Sequence, residues 1–219
     1  MSERFRIDWK RPTATVKEMT SVIADAHFYS DRSRAERFGA IKRFSPEVRD
    51  ELECADYIIY PLIGESIMSM KRSKNKFFTK WHARDPRTER ITSCMSEVAI
   101  KSDPEEFFLT HSIKRPPAEQ QAMIELYSFS IAREIPGVKV IMGNVADYAE
   151  LAFTHFKQTE EYLFGKDYGH GFTRTVTPVG YHNVASVGEF CPSGGLYIGR
   201  AHAKGPQEGV GVVPLILPA

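Results

Sequence analysis

Two breaks, Pro116-Pro117 and Pro136-Gly137, decide what the middle of this chain can become. Neither pair fits inside a helix, so each marks a boundary. Between them, Met123, Ile124, Tyr127 and Ile131 recur at helical spacing and predict a long helix over 118–134. Past the second break, Val138-Lys-Val-Ile-Met142 is a short β-branched run that reads as a buried strand. Ala149, Ala152, Phe153, Phe156 and Leu163 then share one face of a second helix, about 146–164. Phe107–Ile113, rich in aromatic and apolar residues, reads as the strand that leads into the first helix. The expected order is strand, loop, helix, strand, helix, which defines an α/β class.

The flanks are read in the same way. Thr15-Val-Lys-Glu18 is a capping box, followed by Val16, Met19, Ile23 and His27 on one apolar face. Ser45-Pro46-Glu47 starts another helix, with Val48, Leu52 and Ala55 at its buried positions. Tyr57-Ile-Ile-Tyr60 predicts a strand that Pro61 either ends or sends to a sheet edge. Ser66–Met70, Phe77–Trp81 and Glu97–Ile100 are further short strand candidates. Val184–Phe190 and Leu196–Ile198 flank Cys-Pro-Ser-Gly-Gly and predict a hairpin. Gly205–Ala219 is punctuated by glycine and proline and ends on the apolar run Val212–Pro218. This tail is expected to dock on the body or on another subunit. The expected organisation is an α/β domain over 1–172, with 173–219 a β-hairpin and extended tail of the same structural unit.

Composition bounds the function. Hydrophobic residues make up 42% and charged residues 26%, which excludes whole-chain disorder and coiled coil. No run approaches the ~18 apolar residues of a membrane-crossing helix. The opening Met1-Ser-Glu-Arg-Phe-Arg has no apolar stretch of the kind a secretory signal needs, so a cytoplasmic location is expected. Cys54, Cys94 and Cys191 are odd in number and far apart, which predicts free thiols in a reducing compartment. The net charge is +1, too small to make the whole molecule a magnet for nucleic acid. Residues 1–90 nevertheless hold 19 Lys and Arg against 14 Asp and Glu, while 91–219 hold 10 against 14.

That basic half contains one candidate nucleic-acid surface, Lys71-Arg-Ser-Lys-Asn-Lys-Phe-Phe-Thr-Lys-Trp-His. Lys71, Arg72, Lys74 and Lys76 would neutralise phosphates beside aromatics able to stack on bases. The same residues also read as a solvated basic turn before a half-buried strand. The seven histidines form no pair at metal-ligand spacing, and His155 is expected as a hydrogen-bonded core residue. No nucleophile elbow, P-loop or dinucleotide fingerprint occurs.

Over 107–164 the order of elements, the Pro-Gly stop, the Val-Lys-Val strand and the Asn144 after it resemble the GNAT acetyltransferase superfamily. The resemblance implies a GNAT-like mixed sheet flanked by helices, here with a C-terminal β-rich extension. It also implies a pyrophosphate site for acetyl-CoA at the start of the helix at 118. Carried over, that site comprises Arg115, Ala118, Glu119, Gln120 and Gln121, with Asn144 nearby, in a groove between 107–113 and 138–142. Where the family's loop has two glycines this chain has Ala118 and Gln120, and Pro116-Pro117 removes two amide donors. Leu151 stands where the family often has its general-acid tyrosine. These departures imply a scaffold without its cofactor: a non-catalytic assembly or interaction protein, as in some phage structural proteins of this fold. Its expected partners are other protein subunits, reached through the tail. N-acetyl transfer with acetyl-CoA and nucleic-acid binding are the alternative expectations.

Overall fold

A nine-residue stretch, Val145–Phe153, is almost wholly buried and forms most of the central helix α7 (Val145–Thr159). In the computed structural model, which describes residues 34–78, 86–165 and 171–219, this helix lies between two four-stranded sheets. The other helices are α1 (Arg34–Ala40), α2 (Pro46–Cys54), α3 (Ile67–Arg72), α4 (Pro86–Arg90), α5 (Pro104–Phe107) and α6 (Pro117–Glu134). The strands are β1 (Tyr57–Ile63), β2 (Met95–Lys101), β3 (Val138–Ile141), β4 (Phe172–Val179), β5 (Asn183–Cys191), β6 (Gly195–His202), β7 (Val210–Gly211) and β8 (Leu215–Pro218). The chain is therefore α/β, as its sequence indicates. The capping box at Thr15–Glu18 lies outside the described residues.

The first sheet runs β1-β2-β8-β3 and every pair in it is antiparallel. The second runs β6-β5-β4-β7, with β4 and β7 parallel. One face of the first sheet, with Tyr60, Leu62, Val98, Ile100, Leu215 and Leu217, joins α7 in the main core, which continues into Ala185, Val187, Leu196 and Ile198 of the second sheet. Its other face, with Tyr57, Ala99, Val138, Val140 and Ile216, packs under Leu52 of α2 and Ile124 and Ile131 of α6. The layers are thus helix, sheet, helix, sheet. Pro61 sits within β1 at the sheet edge, where its missing N–H costs no ladder bond.

The tail docks on the body, one of the two arrangements expected of it: its end is the inner strand β8, buried along its whole length. Its backbone pairs with β3 from Val138↔Pro218 to Ile141↔Leu215, and with β2 at Ala99↔Ile216. A strand covered on both faces needs apolar residues at every position, and Leu215-Ile-Leu supplies them. Beyond the end of β8 the same side of β2 is taken by Lys42, whose N–H bonds Met95 O and whose C=O accepts from Glu97 N. Lys42 Nζ also donates to the C-terminal Ala219 O at 2.5 Å. Glu97, buried on β2, gathers Arg43 Nη1 (3.0 Å), Arg49 Nη2 (2.6 Å) and the Phe44 amide (3.0 Å).

The strand expected over 107–113 does not form. Phe107 ends α5, and residues 108–116 run through turns in which His111 and Lys114 have φ of 62° and 64°, impossible in a strand. The apolar character of the segment goes into packing: Phe107 and Phe108 meet each other and Phe164 edge to face. Ser66–Met70 is also not a strand, because Ser66 caps α3 by accepting from Ser69 N. Of Phe77–Trp81, Phe77 makes a single bridge to Leu196 and residues 79–81 lie outside the described residues. Glu97–Ile100 and the 184–198 hairpin are strands, within β2, β5 and β6.

Deleting residues 212–219 is expected to abolish cooperative thermal unfolding, because burying Leu215, Ile216 and Leu217 is worth roughly 1.5–3 kcal/mol each. A domain of this kind holds only about 5–15 kcal/mol in all. The milder Ile216→Ala should lower unfolding free energy by about 2–5 kcal/mol in urea with an unchanged slope. A truncated chain that still melts cooperatively at the full-length midpoint would contradict this placement of β8.

Candidate functional site

Two acids three residues apart, Asp147 and Glu150, interrupt the apolar run of α7, and both are buried. The first belongs to the start of the helix. Asn144 is the N-cap, with Oδ1 accepting from Ala146 N (2.7 Å) and Asp147 N (3.0 Å). Asp147 Oδ2 returns the bond from Asn144 N at 2.7 Å, closing a capping box. Its Oδ1 accepts from Cys94 N at 2.6 Å, while Asn144 Nδ2 donates to Thr92 O at 3.1 Å. The helix start therefore grips the loop at 92–94.

One turn on, Glu150 grips two loops together. Its Oε1 accepts from Ile63 N at 2.9 Å, and its Oε2 accepts from Glu65 N at 3.1 Å and from the Ser93 hydroxyl. Ser93 Oγ in turn accepts from Gly64 N at 3.0 Å, where glycine holds a φ of 77°. Burial drives the Glu150 carboxyl up to about 7 and that of Asp147 up to about 6. Burial, with Asp147 close by, also raises the Cys94 thiol. Glu150 is at the floor of a cleft of about 330 Å³ whose walls include Arg34, Phe38, Thr154 and Lys157. A carboxyl poised near neutrality is what general acid–base chemistry requires. Here, however, both oxygens already accept from the protein itself, so the group acts as a backbone clamp.

The residues carried over from the GNAT resemblance do not converge. Gln120 is fully buried and faces inward: Nε2 donates to Ser112 O (2.8 Å) and Val210 O (3.0 Å), and Oε1 accepts from Arg174 Nε (2.5 Å). Arg174, itself 2% exposed, also donates to His202 O at 2.6 Å and Gly205 O at 3.5 Å. Removal from water lowers its pKa. Arg115, Ala118, Glu119 and Gln121 are exposed at the start of α6, with Arg115 3.4 Å from Glu119 and Gln121 bonded to Glu125. Asn144 caps a different helix. The groove expected between 107–113 and 138–142 lacks its first wall, since 107–113 is not a strand.

The basic stretch is likewise divided among protein partners. Lys71 Nζ pairs with Glu89 at 2.6 Å, and Arg72 leans on Met68 Sδ at 3.5 Å. Lys74 turns the chain with φ of 61°, and Lys76 Nζ donates to Pro192 O and Ser193 O. Phe77 packs on Phe153 and Phe78 on Tyr197, and both rings are half-buried. His155 is a core histidine, its Nδ1 2.7 Å from Tyr60 Oη. The hydroxyl of Tyr148 donates to Val213 O at 2.6 Å and accepts from Gly143 N at 3.0 Å. Among the described residues no group of three His, Cys, Asp or Glu is placed to hold a metal. No helix among them is long and apolar enough to cross a membrane.

Glu150 and Arg174 are not singled out by the sequence reading. For Glu150 the signal is present, a charge recurring three residues after Asp147 in an otherwise apolar run. Arg174 stands in a strand with no such pattern. Comparison with protein-family models, curated proteins and solved structures finds no match for this chain.

The raised carboxyls give stability a defined pH dependence. Ordinary carboxyls titrate near 4, so the folded chain holds these two protons more tightly than the unfolded one. Their contribution is full below the unfolded values and is lost as pH rises through about 6 and about 7. His155, held below its ordinary value by burial, contributes in the opposite sense, but only at pH below that value. The thermal midpoint is therefore expected to fall between about pH 5 and 7.5, with His155 offsetting only part of the fall below its ordinary value, and Glu150→Gln should flatten it. A midpoint that rises over this interval in the wild-type chain would contradict the assignment.

Proposed function

We propose that this protein is a non-catalytic interaction protein, a subunit of a larger protein assembly such as a virion. One contrast carries the reading. The buried groups able to move protons or bind anions are engaged in holding the backbone, whereas apolar surface is left open along α6. Leu126 is 72% exposed, Phe129 68% and Val176 53%. A groove of about 520 Å³ runs beside them, lined by Ile124, Phe129, Ala132, Val140, Met142 and Val176. Exposed apolar surface of this kind is typical of protein contacts. The groove suits side chains better than an added strand, because at the free edge of β3 the Val140 N–H already donates to Ser128 Oγ at 3.0 Å.

The acetyltransferase alternative has less support. It calls for loop amides facing a pyrophosphate, and the loop here is built on two prolines and an inward-facing Gln120. The test is thermal unfolding with millimolar acetyl-CoA, for which no shift is expected. Ligand at a hundred times its dissociation constant adds about 2.7 kcal/mol, or roughly 5–11 °C for a chain of this length. A shift of that size, lost in Arg115→Ala, would overturn the non-catalytic reading.

A further inference from the structure

The outer face of α6 carries a pattern that its inner face does not need. Gln120, Ile124 and Ile131 turn inward. On the opposite side Glu119, Ala122, Leu126, Phe129 and Arg133 succeed one another at alternating spacings of three and four residues, and all five are exposed. That alternation is the seam of a helix packed against another helix. In an ordinary surface helix these positions would be polar, yet here the middle three are Ala, Leu and Phe. The seam borders the groove of about 520 Å³ at Phe129, the seam residue in its lining.

Charge identifies the occupant. The seam is acidic at its first turn, Glu119, and basic at its last, Arg133. Both stand seven residues from Leu126, so the seam is complementary to its own inverted copy. We propose that two copies of this chain associate through α6, antiparallel, about a two-fold axis passing near Leu126. Glu119 of each copy then faces Arg133 of the other. Leu126 meets its symmetry mate, and Phe129 lies over Ala122 of the second copy. An isologous contact requires this pairing of large with small and of acid with base. The helix dipoles also oppose favourably in the antiparallel arrangement. Among the described residues Glu119 pairs with Arg115 of its own chain, 3.4 Å away with both side chains more than half exposed, a pair that contributes little and is easily exchanged.

This inference deepens the interaction-protein reading and rests on it. The test is sedimentation equilibrium of the full chain at micromolar concentration, with circular dichroism to verify each fold. The wild type is expected to be a dimer, and Leu126→Asp a folded monomer. Glu119→Lys alone and Arg133→Glu alone should each weaken self-association roughly tenfold, since both charge pairs become repulsive. Mixed one to one, these two variants should form a heterodimer, because each charge again faces its opposite. The double variant Glu119→Lys/Arg133→Glu should dimerise like the wild type. A wild-type chain that stays monomeric would overturn the proposal, as would a dimer indifferent to Leu126→Asp or single swaps that the mixture does not rescue. None of these results bears on acetyl-CoA, so failure of this contact remains distinct from failure of the non-catalytic reading.

Discussion

The structure depends on the insertion of its last strand between two strands that precede it by a long stretch of chain. Without β8 the first sheet is an antiparallel β1-β2 pair and an isolated β3, since β2 and β3 are joined only through it. Ile216 completes the core under α2 and α6, while Leu215 and Leu217 complete the core around α7. One short strand thus closes both hydrophobic layers. The cost is a closure that joins distant parts of the chain, which makes this sheet intrinsically slow to form. Ala219 then fastens the end, its N–H donating to Gly137 O at 2.8 Å and its C=O accepting from Lys42.

With the sheet closed, α7 becomes an interior helix, and the polar groups on it have to be satisfied by protein. Asp147 and Glu150 meet that demand with backbone amides of Cys94, Ile63 and Glu65. Irregular loops cannot be left with buried, unpaired N–H groups, so an acid supplying two acceptors is a suitable filler between two of them. The same logic holds at the other end of the molecule. Arg174 and Gln120 satisfy the carbonyls of Ser112, His202, Gly205 and Val210 where the second sheet meets the start of α6. Both constellations look chemical in composition and are architectural in geometry. Buried ionisable groups of this sort favour one arrangement of loops over others more than they add net stability.

This also explains which parts could be read in the sequence. The helices at 117–134 and 145–159, the strand at 138–141 and the hairpin of β5 and β6 were legible because local signals agree there: periodicity, caps and breakers. Phe107–Ile113 misleads because aromatic residues serve a strand and an irregular core segment equally well. Only the positive φ at His111 and Lys114, invisible in composition, separates the two. The apolar tail was legible in part, because a run of Leu and Ile states that it will be covered without naming the cover. Gln120 and Asn144, expected at a cofactor site, are instead engaged within the fold. Their partners, Arg174 and the loop at 92–94, are remote in sequence, so no local pattern could announce the pairing.

Helix α6 shows how one segment can carry both kinds of information. Its inward residues answer to the sheet beneath, and Ser128 reaches down to occupy the Val140 amide, so that the edge of β3 does not recruit strands. With that amide occupied, the proposed association relies on side-chain packing, for which the residues facing out are suited. Leu126 and Phe129 contribute nothing to the core, and exposure at 72% and 68% is unfavourable for an isolated chain. Their presence on this helix, bracketed by an acid and a base at equal distances, is the observation on which the proposed two-fold contact rests. The interior accounts for the inner stripe, and the proposed second helix would account for the outer one.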